Sequence, residues 1–173
     1  DFLEEKTTFT DGELKSAAAG IMEHIRDFTL FTNSTVNSYS RLGEFSAPRD
    51  ILWAADEGSQ LIRMSAANID SPVELRAADC VCNPYYVFVL MIYASLEGIS
   101  KKSQLPDENE SIGRLPSSLE EAAGCAENSD FIKKYIPENI LDAVITYSRK
   151  EWKEYSTAYD KEAFEDQKYF YSL

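Results

Sequence analysis

The segment Asn83-Pro84-Tyr85-Tyr86-Val87-Phe88-Val89-Leu90-Met91-Ile92-Tyr93 constrains the fold more than any other part of the chain. Asn83 offers a side-chain oxygen to the free N–H groups of a first helical turn, and Pro84 suits that turn because it has no N–H to satisfy. Gly98 stands where a helix C-terminus favours glycine. Between these signals the run is apolar on all sides, which predicts a buried helix from Asn83 to Gly98. Such a helix needs other elements around it. Tyr85 to Leu96 is also shorter than the roughly 18 residues that a membrane span requires.

The rest of the chain supplies candidates for that cover. Thr10 and Glu13 have the form of a capping box. Leu14, Ala17, Ala18, Ile21, Met22, Ile25 and Phe28 follow at helical spacing and predict a helix from Gly12 to Leu30. His24 falls at the edge of that stripe, where a partly solvated residue is expected. Phe31 to Pro48 reads as a loop, with turn-formers such as Asn33, Asn37, Gly43 and Pro48, yet it carries Tyr39, Arg41 and Phe45. Strands are predicted over Ile51–Ala55, Gln60–Ser65 and Val73–Ala78. In the last of these, Glu74 and Arg76 share the face opposite Val73, Leu75 and Ala77. The connections are too short for parallel crossovers, so an antiparallel meander is expected. Lys101 to Leu115 is a polar excursion. A second capping box at Ser117–Glu120 then opens a helix ending near Ala126, and Ser129 or Asp130, Pro137 and Asp160 open three more. The fold class is α+β, in one domain without internal repeats.

Charge and cysteine usage narrow the function classes. The 173 residues hold 17 Lys plus Arg against 30 Asp plus Glu, a net charge of -13. An acid excess of this size disfavours nucleic-acid backbones and anionic membranes, which need Lys and Arg. One histidine, His24, excludes clustered-histidine metal sites within the chain. Cys80, Cys82 and Cys125 lack the spacing of a disulfide framework or a zinc knuckle and read as reduced thiols of a cytoplasmic protein. The acidic start, Asp1 to Lys6, is unlike a signal peptide. A first residue other than Met reads as processing, trimming, or a piece of something longer.

The feature closest to chemistry is the polar face of two strands. A hairpin from Gln60–Ser65 to Val73–Ala78 brings Arg63 near Glu74 and Arg76. Two guanidiniums beside one carboxylate suit an anionic substrate held near a metal, with Arg41 as a third cation. The same spacing suits a surface salt-bridge ladder, and spacing alone favours the ladder.

Longer motifs add to this reading. Asn33-Ser34-Thr35-Val36-Asn37-Ser38-Tyr39-Ser40-Arg41-Leu42, followed by Ala47-Pro48, resembles the Asn-Pro-Thr-Val-Asn-Ser-Tyr-Lys-Arg-Leu…Ala-Pro stretch of glutamine synthetases. Ser59-Gln60-Leu61-Ile62-Arg63, Glu74-Leu75-Arg76 with Asp79 and Asn83-Pro84-Tyr85, Leu96-Glu97-Gly98-Ile99, and Leu115-Pro116-Ser117-Ser118-Leu119-Glu120-Glu121-Ala122 resemble further motifs of that family, in the family's order. The resemblance implies that residues 1–173 are the C-terminal portion of the catalytic domain. Short antiparallel strands of the catalytic sheet would pack with a buried helix and C-terminal helices. It also implies that the N-terminal domain and the strands carrying most metal ligands lie outside this chain.

Carried over residue by residue, the resemblance implies that Arg41 and Arg76 bind glutamate, Arg63 binds ATP and Glu74 binds Mg²⁺ or Mn²⁺. The implied reaction is ATP-dependent phosphorylation of the glutamate γ-carboxylate, followed by displacement of phosphate by ammonium-derived ammonia. Several positions depart from the pattern. Ser46 stands where the family's flap carries a glutamate. Ala54-Ala55-Asp56-Glu57-Gly58-Ser59 replaces Ser-x-Arg-Asn-Arg-Ser, with two arginines lost and two acids gained. Pro72 replaces another arginine. The expectation is a glutamate–ammonia ligase segment that is inactive alone and self-associates through exposed sheet edges. The alternatives are a degenerate binding or regulatory module and a γ-glutamyl-amine ligase relative.

Overall fold

A computed structural model describes residues 9–55, 58–64 and 73–170. The first helix, α1, runs over Asp11–Thr32, with Thr10 and Glu13 forming the expected reciprocal capping box. A short α2 spans Val36–Arg41. Three two-residue strands follow: β1 (Trp53–Ala54), β2 (Ile62–Arg63) and β3 (Glu74–Leu75). Then come α3 (Pro84–Lys101), α4 (Leu119–Asn128), α5 (Asp130–Tyr135), α6 (Glu138–Thr157) and α7 (Lys161–Tyr169). The α+β reading therefore holds, with helices dominating. Asn83 caps α3 as its type predicts, its side chain accepting from the Tyr85 N–H at 3.0 Å. Ser129 caps α5 and Asp160 caps α7.

The core forms where α1 crosses α3. Ala18, Ile25, Phe28 and Leu30 from α1 meet Leu90 and Ala94 from α3, all fully buried. Each large side chain among them contributes about 1.5–3 kcal/mol on burial. The crossing is close because two glycines face each other. A Cβ on Gly20 would lie 2.2 Å from the Ala94 carbonyl oxygen and 2.8 Å from the Gly98 Cα. One on Gly98 would lie 2.1 Å from the Ser16 carbonyl oxygen. Gly98 thus lies inside α3 and serves packing. The helix ends three residues later, where Lys102 takes the left-handed conformation (φ 54°) and donates back to Gly98 and Ile99.

Four expectations need correction. First, α3 is buried on one face only. Val87, Leu90, Ala94 and Gly98 are buried, whereas Tyr85, Phe88, Ile92 and Leu96 form an exposed stripe, 52–78% accessible. Composition is apolar around the whole helix, but the described elements cover one side. Second, the sheet is not an antiparallel meander. β1 pairs with β2 in parallel (Trp53↔Ile62) and only β2–β3 is antiparallel (Arg63↔Glu74). Strands of two residues need a return of only about 7 Å, which a short connection supplies without a crossover helix. Third, the segment read as loop from Phe31 to Pro48 contains α2. Its first free N–H, on Val36, donates to the buried carboxylate of Glu151 on α6 at 3.0 Å. That cap lies 115 residues away and leaves no local signal. The α4 cap also shifts by one residue: Ser118 accepts from the Glu121 N–H, while the Glu121 carboxylate reaches back to Ser117. No helix among the described residues is long and apolar enough to cross a membrane.

Polar contacts join the helices at their rims. Glu97 on α3 accepts from Lys134 Nζ and the Tyr135 hydroxyl on α5, each at 2.9 Å. His24 stacks on Phe131 with ring centroids 4.1 Å apart, and its Nε2 lies 3.5 Å from Glu97. The Lys134 ammonium, with help from Tyr135 and Lys101 and against the opposing effect of burial, holds the Glu97 carboxyl down at about 2. A depressed carboxylate favours the folded state above the unfolded range near 4.5, and that stability is lost as pH falls through the folded value. Glu97→Gln should therefore lower stability at neutral pH and flatten the acid limb between about pH 5 and pH 2, read by thermal melts across that range.

The glycine contact gives a second expectation. Gly98→Ala should destabilise by roughly 3 kcal/mol, because both helices must shift against backbone atoms. Gly124→Ala on α4, where a Cβ meets nothing within 4 Å, should instead gain about 0.5–1 kcal/mol. Urea titrations of the two variants decide this, and equal behaviour would remove the close-approach account.

Candidate functional site

The register of β2 and β3 sets Arg63 directly across from Glu74. Their side chains form an ion pair, with Arg63 Nη2 against Glu74 Oε2. Arg76 Nε lies 3.6 Å from the other carboxylate oxygen. Glu74 is thus flanked by two guanidiniums, as the hairpin spacing predicts. Arg76 is further tied to the Gly58 carbonyl and, at 3.3 Å, to Gln60 Oε1.

Arg41 reaches the same segment from the other side. It is the last residue of α2, and its Nη2 donates to the Ala77 carbonyl at 2.6 Å. Its Nε lies 3.7 Å from Asp79 Oδ2, is buried, and makes no hydrogen bond. Arg41 is therefore fixed to the backbone of the residue that follows Arg76, while the Arg76 guanidinium itself is held by the Gly58 carbonyl. Asn33 completes this joint. Its Nδ2 donates to the same Ala77 oxygen at 3.0 Å, and its carbonyl accepts from the Tyr39 hydroxyl at 2.7 Å. Burial, then the nearby Cys125 and Glu121, push the Tyr39 hydroxyl well above its ordinary range, so it stays a donor. The Asp79 N–H closes the ring on the Thr32 carbonyl at 2.8 Å.

Ser46 does not join this group. It sits in the exposed turn after α2, where Phe45 and Ser46 both adopt left-handed conformations with φ of 48° and 65°. Phe45 is almost fully exposed, at 97%. A non-glycine residue in that region costs about 1–2 kcal/mol, so the turn carries strain that the bonds from Gly43 N–H to Ala47 O and from Ala47 N–H to Glu44 O offset. Asp56, Glu57 and Pro72, sites of departure from the family pattern, and Ser65, the end of a predicted strand, lie outside the described residues.

The described residues by themselves do not make a metal centre. Among the described residues no three His, Cys, Asp or Glu side chains come together, and both Glu74 oxygens face arginines. Divalent cations of the Mg²⁺ type need several oxygen ligands. Cys80, Cys82 and Cys125 are free thiols. Sequence reasoning placed Arg41, Arg63, Glu74 and Arg76 but missed Asn33, Tyr39 and Asp79 as their support. Asn33 precedes α2 and Tyr39 lies within it, and their type gave a signal: an amide and a phenol in a presumed loop beside an arginine.

The comparisons with known proteins fit this geometry. Residues 2–167 match the family model described as the glutamine synthetase catalytic domain. Over 152 residues the chain is 38% identical to a glutamine synthetase of Methanosarcina mazei, covering 79% of this chain and 34% of the relative. It is 34% identical over 162 residues to a glutamine synthetase of Mycobacterium tuberculosis, covering 82% and 36%. The chain thus spans about a third of the length of the curated relatives it matches. Among solved structures, a GmaS–ADP complex superposes with a TM-score of 0.74 at 21% identity, covering 92% of this chain and 40% of the other. Ligand-free GmaS gives 0.73 at 20%, covering 94% and 39%. These structural likenesses establish the fold, and the family match over nearly the whole length shows that this chain belongs to the glutamine synthetase catalytic-domain family.

Proposed function

We propose that this chain, the C-terminal portion of a glutamine synthetase-type catalytic domain over residues 1–173, binds the glutamate end of the substrates and completes no reaction by itself. The observation that carries the reading is that a backbone carbonyl holds each guanidinium, Ala77 for Arg41 and Gly58 for Arg76. Two guanidiniums held by carbonyl oxygens are pre-oriented for a carboxylate, and little side-chain entropy remains to be lost on binding. Arg63 takes the ATP-phosphate role that its place in the strand motif suggests. Its guanidinium spreads negative charge on a transferred phosphoryl group. Ammonium, ATP and the divalent metal enter the reading through family membership alone. Glu74 serves as one metal ligand only where carboxylates from outside this chain join it. The three free thiols suit a reducing, cytoplasmic setting.

The turn at Phe45 and Ser46 favours a second reading, a degenerate binding module. The family's flap glutamate is matched by a hydroxyl on an exposed turn, and a serine there cannot take a proton from ammonium at neutral pH. A γ-glutamyl-amine ligase relative is the third member of this set, since an amine that arrives deprotonated relaxes that demand. Self-association belongs to the proposal too, with the exposed stripe of α3 offering apolar surface beside the sheet edges.

The chain alone, assayed for phosphate release with ATP, glutamate, ammonium and Mg²⁺ or Mn²⁺, should show no turnover above background. Robust turnover would overturn the proposal. Glutamate binding is followed by calorimetry on the wild type and Arg76→Ala. The wild type should give weak heats and the variant a loss of roughly tenfold or more, as for one charge-assisted pair. Equal heats, or none in either protein, would sink the binding role.

A further inference from the structure

Six of the seven arginines of this acidic chain fall into two groups, and the seventh, Arg149, pairs with Glu120 and Glu127. Arg41, Arg63 and Arg76 serve the site described above. Arg26, Arg49 and Arg114 line a separate cleft of about 230 Å³, bounded by Leu42, Leu115, Pro116, Ser117 and Glu121. The two groups share no residue. The second group comes from three places in the fold: Arg26 from α1, Arg49 from the segment after the Gly43–Ser46 turn, and Arg114 from the loop before α4.

The charges in this cleft do not cancel. Arg26 Nη2 pairs with Glu121 Oε1 at 2.9 Å, and its Nη1 donates to the Arg114 carbonyl. Arg114 Nε pairs with Asp50 Oδ1 at 3.0 Å. Arg49 donates through Nε and Nη2 to the Leu42 carbonyl, at 3.2 and 2.9 Å, and no described carboxylate lies within ion-pair distance of it. Three guanidiniums against two carboxylates leave one excess positive charge on a chain of net charge -13. Donors also remain. Among the described residues, Arg49 Nη1 and both Nη groups of Arg114 make no hydrogen bond, and each guanidinium carries five N–H donors. Leu42, Leu115 and Pro116 are buried and form an apolar floor, which strengthens charge interactions above it.

We propose that the Arg26–Arg49–Arg114 cleft is a binding site for a small phosphate-bearing anion. Guanidiniums arriving from three elements suit the several oxygens of a tetrahedral phosphate, whereas a planar carboxylate engages two donors of one fork. The cleft volume admits inorganic phosphate or a small phosphate ester. Arg49 supplies the uncompensated charge, Arg114 the free fork at the rim, and Arg26 the fixed inner wall. A phosphate group here bridges α1, the turn that follows α2, and the entry to α4. Its occupancy would therefore stiffen the base of the Phe45–Ser46 turn.

The test is calorimetric titration of the intact chain with inorganic phosphate in low-salt buffer, alongside acetate at matched ionic strength. Phosphate should bind and acetate should not. Arg49→Ala should weaken phosphate binding about tenfold, and Arg49→Lys should recover part of the loss. Arg114→Ala, whose side chain is 73% exposed, should weaken binding with no cost to folding by circular dichroism, which keeps the test decisive if Arg49→Ala disturbs the turn. Arg149→Ala, outside both groups, should leave phosphate binding unchanged. Absence of phosphate binding, equal binding of acetate, or loss through Arg149→Ala with none through Arg49→Ala and Arg114→Ala would each overturn the proposal.

Discussion

The approach of Gly20 to Gly98 is the contact on which the rest of the structure depends. With no side chain at either position, the backbones of α1 and α3 come within a distance that any Cβ would forbid. That distance lets Leu90 and Ala94 reach the apolar stripe of α1 and aligns the end of α1 with the start of the Asn33–Leu42 segment. The strands and the four C-terminal helices then pack around an axis already set. A glycine inside a helix costs about 1 kcal/mol in propensity, and here the packing it permits returns more than that.

The polar groups divide into two kinds of arrangement. Around Glu97, opposite charges neutralise one another at the rim of three helices and act on stability alone. Around Ala77, three arginines face backbone carbonyls and two carboxylates, Glu74 and Asp79, so the positive charge there is only partly cancelled. An acidic chain that gathers cations at a few points creates local positive potential there against its overall charge. The net charge describes the solvated surface and says little about those points.

Much of this was legible in the residues, and the failures have physical causes. The helix starts at Thr10, Asn83, Ser129 and Asp160 were readable because a cap is a local interaction, complete within three or four residues. The pairing of Arg63 with Glu74 was readable because alternation fixes which side chains share a strand face. The helix α2 was not readable, since its N–H groups are satisfied from α6. The parallel β1–β2 pair was missed because the crossover rule presumes strands longer than two residues. The exposure of Tyr85, Phe88, Ile92 and Leu96 was missed because composition records what a helix can bury and is silent on how many neighbours it has. The support of Arg41 by Asn33 and Asp79 depends on where three segments meet, which no single window contains.

The buried carboxylate of Glu151 has a consequence in time. It accepts from the Val36 N–H at 3.0 Å and from the Tyr169 hydroxyl at 2.5 Å, so the helix that ends in Arg41 is completed by groups near the far end of the chain. During synthesis at about 5–20 residues per second, Val36 leaves the ribosome on the order of ten seconds before Glu151 exists. Late in that interval α1 and α3 can meet, but the helix that ends in Arg41 still has no partner for its first amide. The short helix that carries Arg41 is therefore among the last parts of the described structure to acquire its shape.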